Sequence, residues 1–272
     1  MIKAIFLDLD GTLLTSDKRI NPSAREALAR CREKGIHVFF ASARSPRLDE
    51  TLGFTPEDFA LFTGAVYSNG ACVDFMGERR FCFIDPRAVR ACVEEAARHE
   101  GVHLSLHTPG DGYAFNFPAD PCMNAGWGLT HARILPICEE TIGQTAKVLL
   151  FYDHLTDSVR TLPPALYDAL RARCEGLAHV YLTDEGRTIQ LSSLEAGKLR
   201  AIESLRGQLG LQADEVAVFG DDVNDLEMIS FYKNSVAMGN AVPQVKAAAG
   251  FITHDNDSDG IAHALREFLH AL

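Results

Sequence analysis

Short apolar runs alternate with amphipathic segments over the first part of the chain. Residues 3–9 form a continuous run rich in Ile, Phe and Leu, which predicts a strand buried within a parallel sheet. Asn21 and Pro22 then provide a helix N-cap and a proline at the first helical position, and apolar residues recur at helical spacing until Gly35. Residues 36–41 form the next apolar run, so the pattern predicts a βαβ unit with a right-handed crossover.

The middle of the chain has a different texture. A further apolar run at residues 60–67 ends at the turn signal Ser68-Asn69-Gly70, and short strands and helices then follow without a regular βα repeat. The predicted strands lie at residues 102–107, 113–117, 147–152 and 178–183, and the predicted helices at residues 86–99 and 163–174.

The βα alternation returns near the end of this segment, with a helix after Leu194 and a strand at residues 215–219. Because the early and late strands suit one sheet, we expect an α/β fold with a Rossmann-like parallel-sheet core. Residues 1–83 and 187–272 would form that core, and residues 84–186 would form an inserted α+β domain.

Composition narrows the class of protein. The 272 residues are 47% hydrophobic and 23% charged, which is ordinary for a globular chain long enough for two domains. The net charge of −11 argues against a nucleic-acid partner or an anionic membrane surface. Seven widely spaced cysteines without a Cys-x-x-Cys pair are typical of reduced thiols, and acids interrupt the N-terminal apolar run too early for a signal peptide. We expect a cytoplasmic monomer or small homo-oligomer.

Two carboxylates, Asp8 and Asp10, follow the first predicted strand. Side chains two residues apart share one side of a strand, so both can project beyond the carboxyl edge, where open α/β sheets bind ligands. Neighbouring ionised carboxylates repel, which favours a divalent cation or a raised pKa for one of them. Asp8 would be a nucleophile and Asp10 a general acid/base, while Gly11 permits a tight turn and the Thr12 hydroxyl orients Asp10. An acidic turn without a catalytic role fits this short segment equally well.

Three further segments complete a set of motifs. The first motif is Asp8-Leu9-Asp10-Gly11-Thr12-Leu13-Leu14, followed by Ser42 in Ala41-Ser42-Ala43-Arg44, Lys198 in Leu194-Glu195-Ala196-Gly197-Lys198, and Gly220-Asp221-Asp222-Val223-Asn224-Asp225. In this order and spacing, the set resembles the haloacid dehalogenase-like (HAD) superfamily, specifically its Cof-type phosphatases with a type IIB cap. The resemblance spans essentially the whole chain. Its one departure is Ala43, where the family more often has Gly.

The resemblance implies a cofactor and a set of metal ligands. Mg²⁺ would be bound by the Asp8 carboxylate, the Asp10 backbone carbonyl, Asp221 and water. A phosphate dianion and an attacking carboxylate repel each other. For unit charges about 4 Å apart, the repulsion is roughly 4 kcal/mol at an effective dielectric constant near 20, and a bridging cation removes this barrier.

The resemblance also implies a phosphate-binding set. Ser42 and Asn224 would bind phosphate oxygens, and Lys198 would neutralise both Asp8 and the transferred group. Asp225 would support Lys198 or a metal-bound water, whereas Asp222 has no implied role and suits a solvated turn.

The implied activity is hydrolysis of a small phosphorylated metabolite, such as a sugar phosphate, through an aspartyl-phosphate intermediate. A phosphomutase would use the same aspartyl chemistry and return the phosphoryl group to its substrate. A non-catalytic sensor of phosphorylated metabolites would keep the fold and lose the chemistry, but the presence of Asp8, Asp10, Lys198 and Asp221 together argues against it.

Specificity is expected from the cap and the core rim. The rim candidates are Arg44, Arg47 and Asn69, and each arginine suits an anion contact or a rim salt bridge equally well. The cap candidates are His107, Tyr113, Asn116, Asn124 and Trp127.

One acidic segment stands apart from these motifs. Residues 255–260 begin like an EF-hand calcium loop, but Arg266 occupies the twelfth position, where such loops have Glu. An acidic loop preceding a helix is the better interpretation.

Overall fold

The computed structural model describes residues 1–118, 129, 132–152 and 160–272. Within it the chain divides into two compact units. The first consists of Met1–Arg80 and Gly197–Leu272, and the second of Phe81–Ala196.

The described strands, in chain order, are β1 (Ala4–Leu7), β2 (His37–Ala41), β3 (Gly64–Tyr67), β4 (Cys72–Phe75), β5 (Glu78–Phe81), β6 (His103–Thr108), β7 (Gly112–Phe115), β8 (Arg133–Leu135), β9 (Lys147–Phe151), β10 (Ala178–Thr183), β11 (Thr188–Ser193), β12 (Val216–Gly220), β13 (Asn234–Ala237) and β14 (Phe251–Ile252). The described helices are α1 (Pro22–Glu33), α2 (Leu48–Leu52), α3 (Pro56–Phe59), α4 (Pro86–Arg98), α5 (Glu139–Gly143), α6 (Pro164–Arg173), α7 (Lys198–Gln208), α8 (Leu226–Phe231), α9 (Pro243–Ala248) and α10 (Gly260–Glu267). No helix in these ranges combines the length and the apolar character needed to cross a bilayer.

An eight-stranded sheet forms the centre of the first unit, in the order β14-β13-β12-β1-β2-β3-β4-β5. The strands from β14 to β3 pair in parallel, and β4 runs antiparallel to β3. β1 lies between β2 and β12, so strands from both ends of the chain share one sheet, and the predicted α/β fold is confirmed. The segments that follow β1, β2 and β12 therefore meet at one carboxyl edge.

Apolar side chains on the sheet pack against the helices that follow the insertion. Phe6 and Phe39 on adjacent strands stack with their ring centroids 4.7 Å apart. They belong to one buried cluster with Ile202 of α7 and Met228 of α8. Every residue of β1 is fully buried, as the continuous apolar run predicted.

The second unit is built on a six-stranded sheet in the order β10-β11-β9-β6-β7-β8. The pairs β10–β11, β11–β9 and β6–β9 are antiparallel. Leu106 of β6 and Val148 of β9 lie in a buried cluster with Val89 of α4 and Leu166 of α6. This unit is thus an α+β structure with its own core.

The unit boundaries differ from those expected from the sequence. The first falls after Arg80 because β5 is the edge strand of the first sheet. The second falls after Ala196, later than the expected 186, because β11 pairs with β9 and β10. Asp184–Gly186 is only the turn between β10 and β11.

The predicted cap candidates have different environments. His107 and Tyr113 lie opposite each other on β6 and β7, with ring centroids 4.7 Å apart. Asn116 is occupied by backbone contacts, because its Oδ1 accepts from the Leu104 N–H at 2.7 Å and its Nδ2 donates to the Val102 carbonyl at 3.0 Å. Asn124 and Trp127 lie outside the described residues.

The Phe6–Phe39 stack predicts a large stability effect. Phe39→Ala should lower the free energy of unfolding by about 3–5 kcal/mol, because it removes a fully buried ring and leaves a cavity. Phe231→Ala is the control, since that side chain is 52% exposed and should cost less than about 1 kcal/mol. Urea denaturation followed by circular dichroism measures both values, and equal losses would contradict this account of the core.

Candidate active site

A buried lysine lies between two buried carboxylates at the carboxyl edge of the first sheet. Lys198, the first residue of α7, places its Nζ 2.5 Å from Oδ1 of Asp8 and 2.6 Å from Oδ1 of Asp225. All three residues are at least 95% buried. Asp8 comes directly after β1, so the strand fixes its position at this edge.

Asp225 holds the loop after β12 as well as the lysine. Its Oδ2 accepts the backbone N–H groups of Asp221 at 3.0 Å and of Asp222 at 3.2 Å. The structure therefore places Asp225 against Lys198, one of the two supporting positions that the sequence suggested. The Asp222 side chain is exposed and accepts the Val223 N–H at 2.7 Å, in keeping with the turn role expected for it.

Asp221 is held against the loop that follows Asp8. The Thr12 hydroxyl donates to Oδ1 of Asp221 at 2.7 Å. The expectation that Thr12 orients Asp10 is therefore wrong, because its hydroxyl reaches across to the loop after β12. Gly11 has a φ of +79°, and a Cβ at that position would lie 2.3 Å from Oδ2 of Asp221. The glycine thus permits both the turn and this close approach.

Asp10 is half-buried, and two cations bind it. Arg44 binds both carboxylate oxygens, through Nε at 2.6 Å and a terminal guanidinium nitrogen at 2.7 Å, and Lys18 Nζ lies 2.7 Å from Oδ1. Burial opposes the charged form of Asp10, but the hydrogen bonds from Arg44 and Lys18 outweigh it and lower its pKa. Sequence reasoning missed Lys18, which lies in a turn with a φ of +59° and carries no motif.

The second and third strands supply polar groups at the same edge. Ser42 follows β2, is 1% exposed, and accepts the Arg44 N–H on its Oγ at 3.1 Å. The Asn69 N–H donates to the Ser42 carbonyl at 2.9 Å. Asn224 donates from Nδ2 to Oδ1 of Asn69 at 3.3 Å. Ser42, Asn69 and Asn224 therefore form a connected polar group at this edge.

The two rim arginines have acidic partners. Arg44 binds Asp10, whereas Arg47 is 4% exposed and pairs with Glu50 of α2. Arg47 is thus a buried ion-pair residue, and Arg44 is the rim arginine that contacts a catalytic candidate.

The carboxylates of Asp8, Asp221 and Asp225 have oxygen atoms within 4.8 Å of one another. Burial raises the pKa of Asp8 to about 8 against the opposing effect of Lys198, and Asp225 and Asp221 add to the increase. Burial likewise raises the pKa of Asp221 to about 6, although the Thr12 hydrogen bond opposes it. The single positive charge of Lys198 does not balance three carboxylates. A set of oxygen donors with excess negative charge suits Mg²⁺, so the residues fit the expected metal.

Comparisons with known proteins indicate the family of this chain. Residues 5–265 match the model of the haloacid dehalogenase-like hydrolase family. "Putative phosphatase YkrA" of Bacillus subtilis is 30% identical over 268 residues, which is 97% of each chain. The 5-amino-6-(5-phospho-D-ribitylamino)uracil phosphatase YitU of the same organism is 27% identical and covers 97% of this chain and 96% of its own.

Solved structures show the same fold. A haloacid dehalogenase-like hydrolase from Bacteroides thetaiotaomicron has a TM-score of 0.78 at 29% identity, covering 98% of this chain and 99% of its own. The HAD subclass IIB sugar phosphatase BT4131 has a TM-score of 0.77 at 22% identity, covering 99% and 100%, and supports the fold alone. The chain belongs to the haloacid dehalogenase-like hydrolase family, as its motifs predicted. Within that family it is a phosphatase, a phosphoric monoester hydrolase.

The close approach of Gly11 to Asp221 predicts that a methyl group added at position 11 strongly lowers activity. Gly11→Ala should lower the rate of p-nitrophenyl phosphate hydrolysis by about a hundredfold, because the new Cβ displaces the Asp221 carboxylate. The matched control is Gly35→Ala, where φ is +78° and nothing lies within 4 Å of the added Cβ.

The control should lose about 1 kcal/mol of stability from backbone strain and keep its activity. Enzyme assays and urea denaturation of both variants separate the two effects. If both variants lose activity to the same extent, strain alone explains the loss and the Asp221 contact is unimportant.

Proposed function

We propose that this phosphatase hydrolyses the phosphate ester of a small metabolite, such as a sugar phosphate, through an aspartyl phosphate formed on Asp8. The observation that carries the proposal is the Asp8 carboxylate itself. It is buried at the end of β1, its Oδ1 is bound to Lys198, and Asp221 lies beside it. Such a carboxylate would serve as the nucleophile, with the Lys198 ammonium group beside it to meet an anionic substrate.

Two displacements make up the reaction. In the first, Oδ2 of Asp8 attacks phosphorus, the ester P–O bond breaks, and Asp10 gives a proton to the leaving oxygen. In the second, water attacks phosphorus, Asp10 accepts a proton from that water, and the bond between phosphorus and Asp8 breaks. The first step requires Asp10 to be protonated, so substrate must displace Arg44 or Lys18 from its carboxylate.

Mg²⁺ is the proposed cofactor, held by the carboxylates of Asp8 and Asp221 and the backbone carbonyl of Asp10. When bound, the ion would reduce the repulsion between the attacking carboxylate and the phosphate dianion. Asp225 is occupied by Lys198 and two backbone N–H groups, so we assign it a supporting role.

Three residues are proposed to bind the phosphoryl group: Ser42, Lys198 and Asn224. Ser42 follows β2, the strand that pairs with the one ending before Asp8, and the Asn224 amide donates to Asn69. Lys198 contributes a positive charge. Burial lowers the pKa of its ammonium group, but the carboxylates of Asp8 and Asp225 outweigh burial and raise that pKa above its usual value. These groups would stabilise the charge that develops during in-line transfer.

The inserted unit is proposed to select the substrate. Its α+β sheet carries His107 and Tyr113 side by side, and the two side chains combine aromatic rings with hydrogen-bonding atoms. YitU is named for a ribitylaminouracil phosphate, which supports a small phosphorylated metabolite as the substrate class.

Asp8→Asn tests the nucleophile. The variant should release no phosphate above background, because an amide oxygen does not form a stable acyl phosphate. The matched control is Asp222→Asn, which makes the same change on the adjacent turn, where Asn caps equally well and activity should be retained.

Phosphate release and intact mass, measured with a panel of phosphorylated metabolites, also separate hydrolysis from mutase activity. A product with a moved phosphate and no inorganic phosphate would identify a mutase. Residual turnover in Asp8→Asn above a trace would contradict the proposed intermediate.

Asp10→Asn tests the acid/base role. An alkyl phosphate needs a proton on its leaving oxygen, whereas p-nitrophenolate leaves without one, so the alkyl substrate should lose ~10²–10⁴-fold in rate. With p-nitrophenyl phosphate the first step should survive and the second should stall. A burst of p-nitrophenol equal to the enzyme concentration should follow, with phosphorylated Asp8 accumulating.

Stopped-flow absorbance and intact mass spectrometry detect the burst and the adduct. Equal losses on both substrates, with neither burst nor adduct, would make Asp10 a structural residue.

A further inference from the structure

Two asparagines outside the four motifs contact the loop that carries Asp8 and Asp10. Asn240 lies in the loop after β13, and Asn256 lies in the acidic loop after β14, the segment that began like an EF-hand. Both loops follow strands on the side of the first sheet opposite to β2, because β13 and β14 lie beyond β12 from β1. The acidic loop has no role in the chemistry proposed above, so its contacts call for a separate explanation.

The asparagine side chains form a chain of hydrogen bonds onto the catalytic loop. Asn240 donates from Nδ2 to the carbonyl of Gly11 at 2.8 Å. Its Oδ1 accepts the Asn256 N–H at 3.1 Å. Asn256 in turn donates from Nδ2 to the carbonyl of Leu14 at 2.8 Å. The two side-chain amides thus bind two carbonyls, those of Gly11 and Leu14, in the loop that carries Asp8 and Asp10, here called the catalytic loop. They are also hydrogen-bonded to each other.

Further contacts keep the acidic loop against this segment. Asp257 accepts both the Ser16 N–H at 2.7 Å and the Ser16 hydroxyl at 2.6 Å. Asn21 donates to the Ser258 carbonyl at 2.9 Å. The acidic side chain of Asp257 is therefore used in a loop-to-loop contact, which accounts for its presence without a bound cation.

The Gly11 carbonyl is the critical point of attachment. Gly11 is bonded to Asp10 on one side and to Thr12 on the other, and Thr12 holds Asp221. A hydrogen bond at this carbonyl fixes the Gly11–Thr12 peptide plane, and with it the approach of Gly11 to the Asp221 carboxylate. An error in that plane would displace Asp10 and Asp221 together.

We propose that Asn240 and Asn256 act as one clamp, a pair of positioning residues that hold the catalytic loop in its reactive conformation. The inference rests on the proposed roles of Asp8 and Asp10. Asn240 is exposed and contributes little to the apolar core, so the clamp affects geometry more than folding. Because both members act on one loop, their effects should not add.

The test is a steady-state comparison of Asn240→Ala, Asn256→Ala and the double variant. Asn240→Ala should lower kcat for an alkyl phosphate by about 10- to 100-fold and leave KM within about threefold. The first turnover of p-nitrophenyl phosphate, followed as p-nitrophenol release by stopped flow, should slow less than kcat for the alkyl phosphate, because p-nitrophenolate leaves without a proton from Asp10. The double variant should be no slower than about twofold below the slower single variant.

Asn234→Ala is the matched control. Asn234 also donates from its side chain to a backbone carbonyl, that of Asp214 at 2.8 Å, but it begins β13 at the end away from the site. This variant should keep kcat and KM, while its melting temperature should fall about as much as that of Asn240→Ala. A second variant, Asn240→Asp, keeps the acceptor for Asn256 and loses the donor to Gly11, so it should be as slow as Asn240→Ala.

Several results would overturn the clamp. Asn240→Ala with wild-type kcat would do so, as would full additivity in the double variant or a first turnover of p-nitrophenyl phosphate slowed as much as kcat for the alkyl phosphate. Activity in Asn240→Asp near the wild-type value would show that the bond to Gly11 is dispensable. Failure of the catalytic proposal is distinguishable, because it appears as turnover in Asp8→Asn whatever the asparagine variants do.

Discussion

The ion pair of Lys198 with Asp8 and Asp225 is the constraint on which the rest of the site depends. A buried ammonium group is tolerated only when carboxylates surround it, and a buried carboxylate likewise requires a partner. Removing Lys198 would leave two buried carboxylates without this cation, and removing either carboxylate would deprive the buried ammonium group of a hydrogen-bond acceptor. The cluster therefore fixes the start of α7, the end of β1 and the turn after β12 relative to one another.

Excess negative charge at this point has a catalytic meaning. The carboxylates of Asp8, Asp221 and Asp225 converge, while a single lysine offsets them. Such a site is unfavourable in isolation and becomes favourable when a divalent cation or a protonated group enters. The energetic cost of assembling the acids would then be recovered as affinity for the proposed Mg²⁺.

Much of this arrangement was predictable because parallel strands bring their carboxyl ends to one edge. Asp8, Ser42 and Asp221 each follow a strand recognisable from its apolar run, and the motif order placed Lys198 with them. The downstream boundary of the inserted unit lies beyond the expected residue 186 because a turn signal does not tell a hairpin within a unit from an exit out of it. Asp184, Glu185 and Gly186 form the β10–β11 turn with φ values of +52°, +56° and +87°. The contacts of Lys18, Asn240 and Asn256 were not predictable from the sequence. They depend on which loops lie next to each other at the edge of the sheet, and the pattern of a single segment does not show this.

The close approach between Gly70 and Gly197 bears on how such chains are recombined. A Cβ on Gly70 would lie 2.4–2.6 Å from backbone atoms of Gly197, the residue immediately before Lys198. Position 70, where φ is +98°, therefore admits only glycine, whereas a Cβ on Gly197 would meet nothing closer than the Arg200 side chain at 3.8 Å. A chimera that exchanges the inserted unit for that of another phosphatase must keep Gly70, although this residue lies ahead of the upstream splice. A side chain at position 70 would push on the segment that carries Lys198, the lysine bound to Asp8.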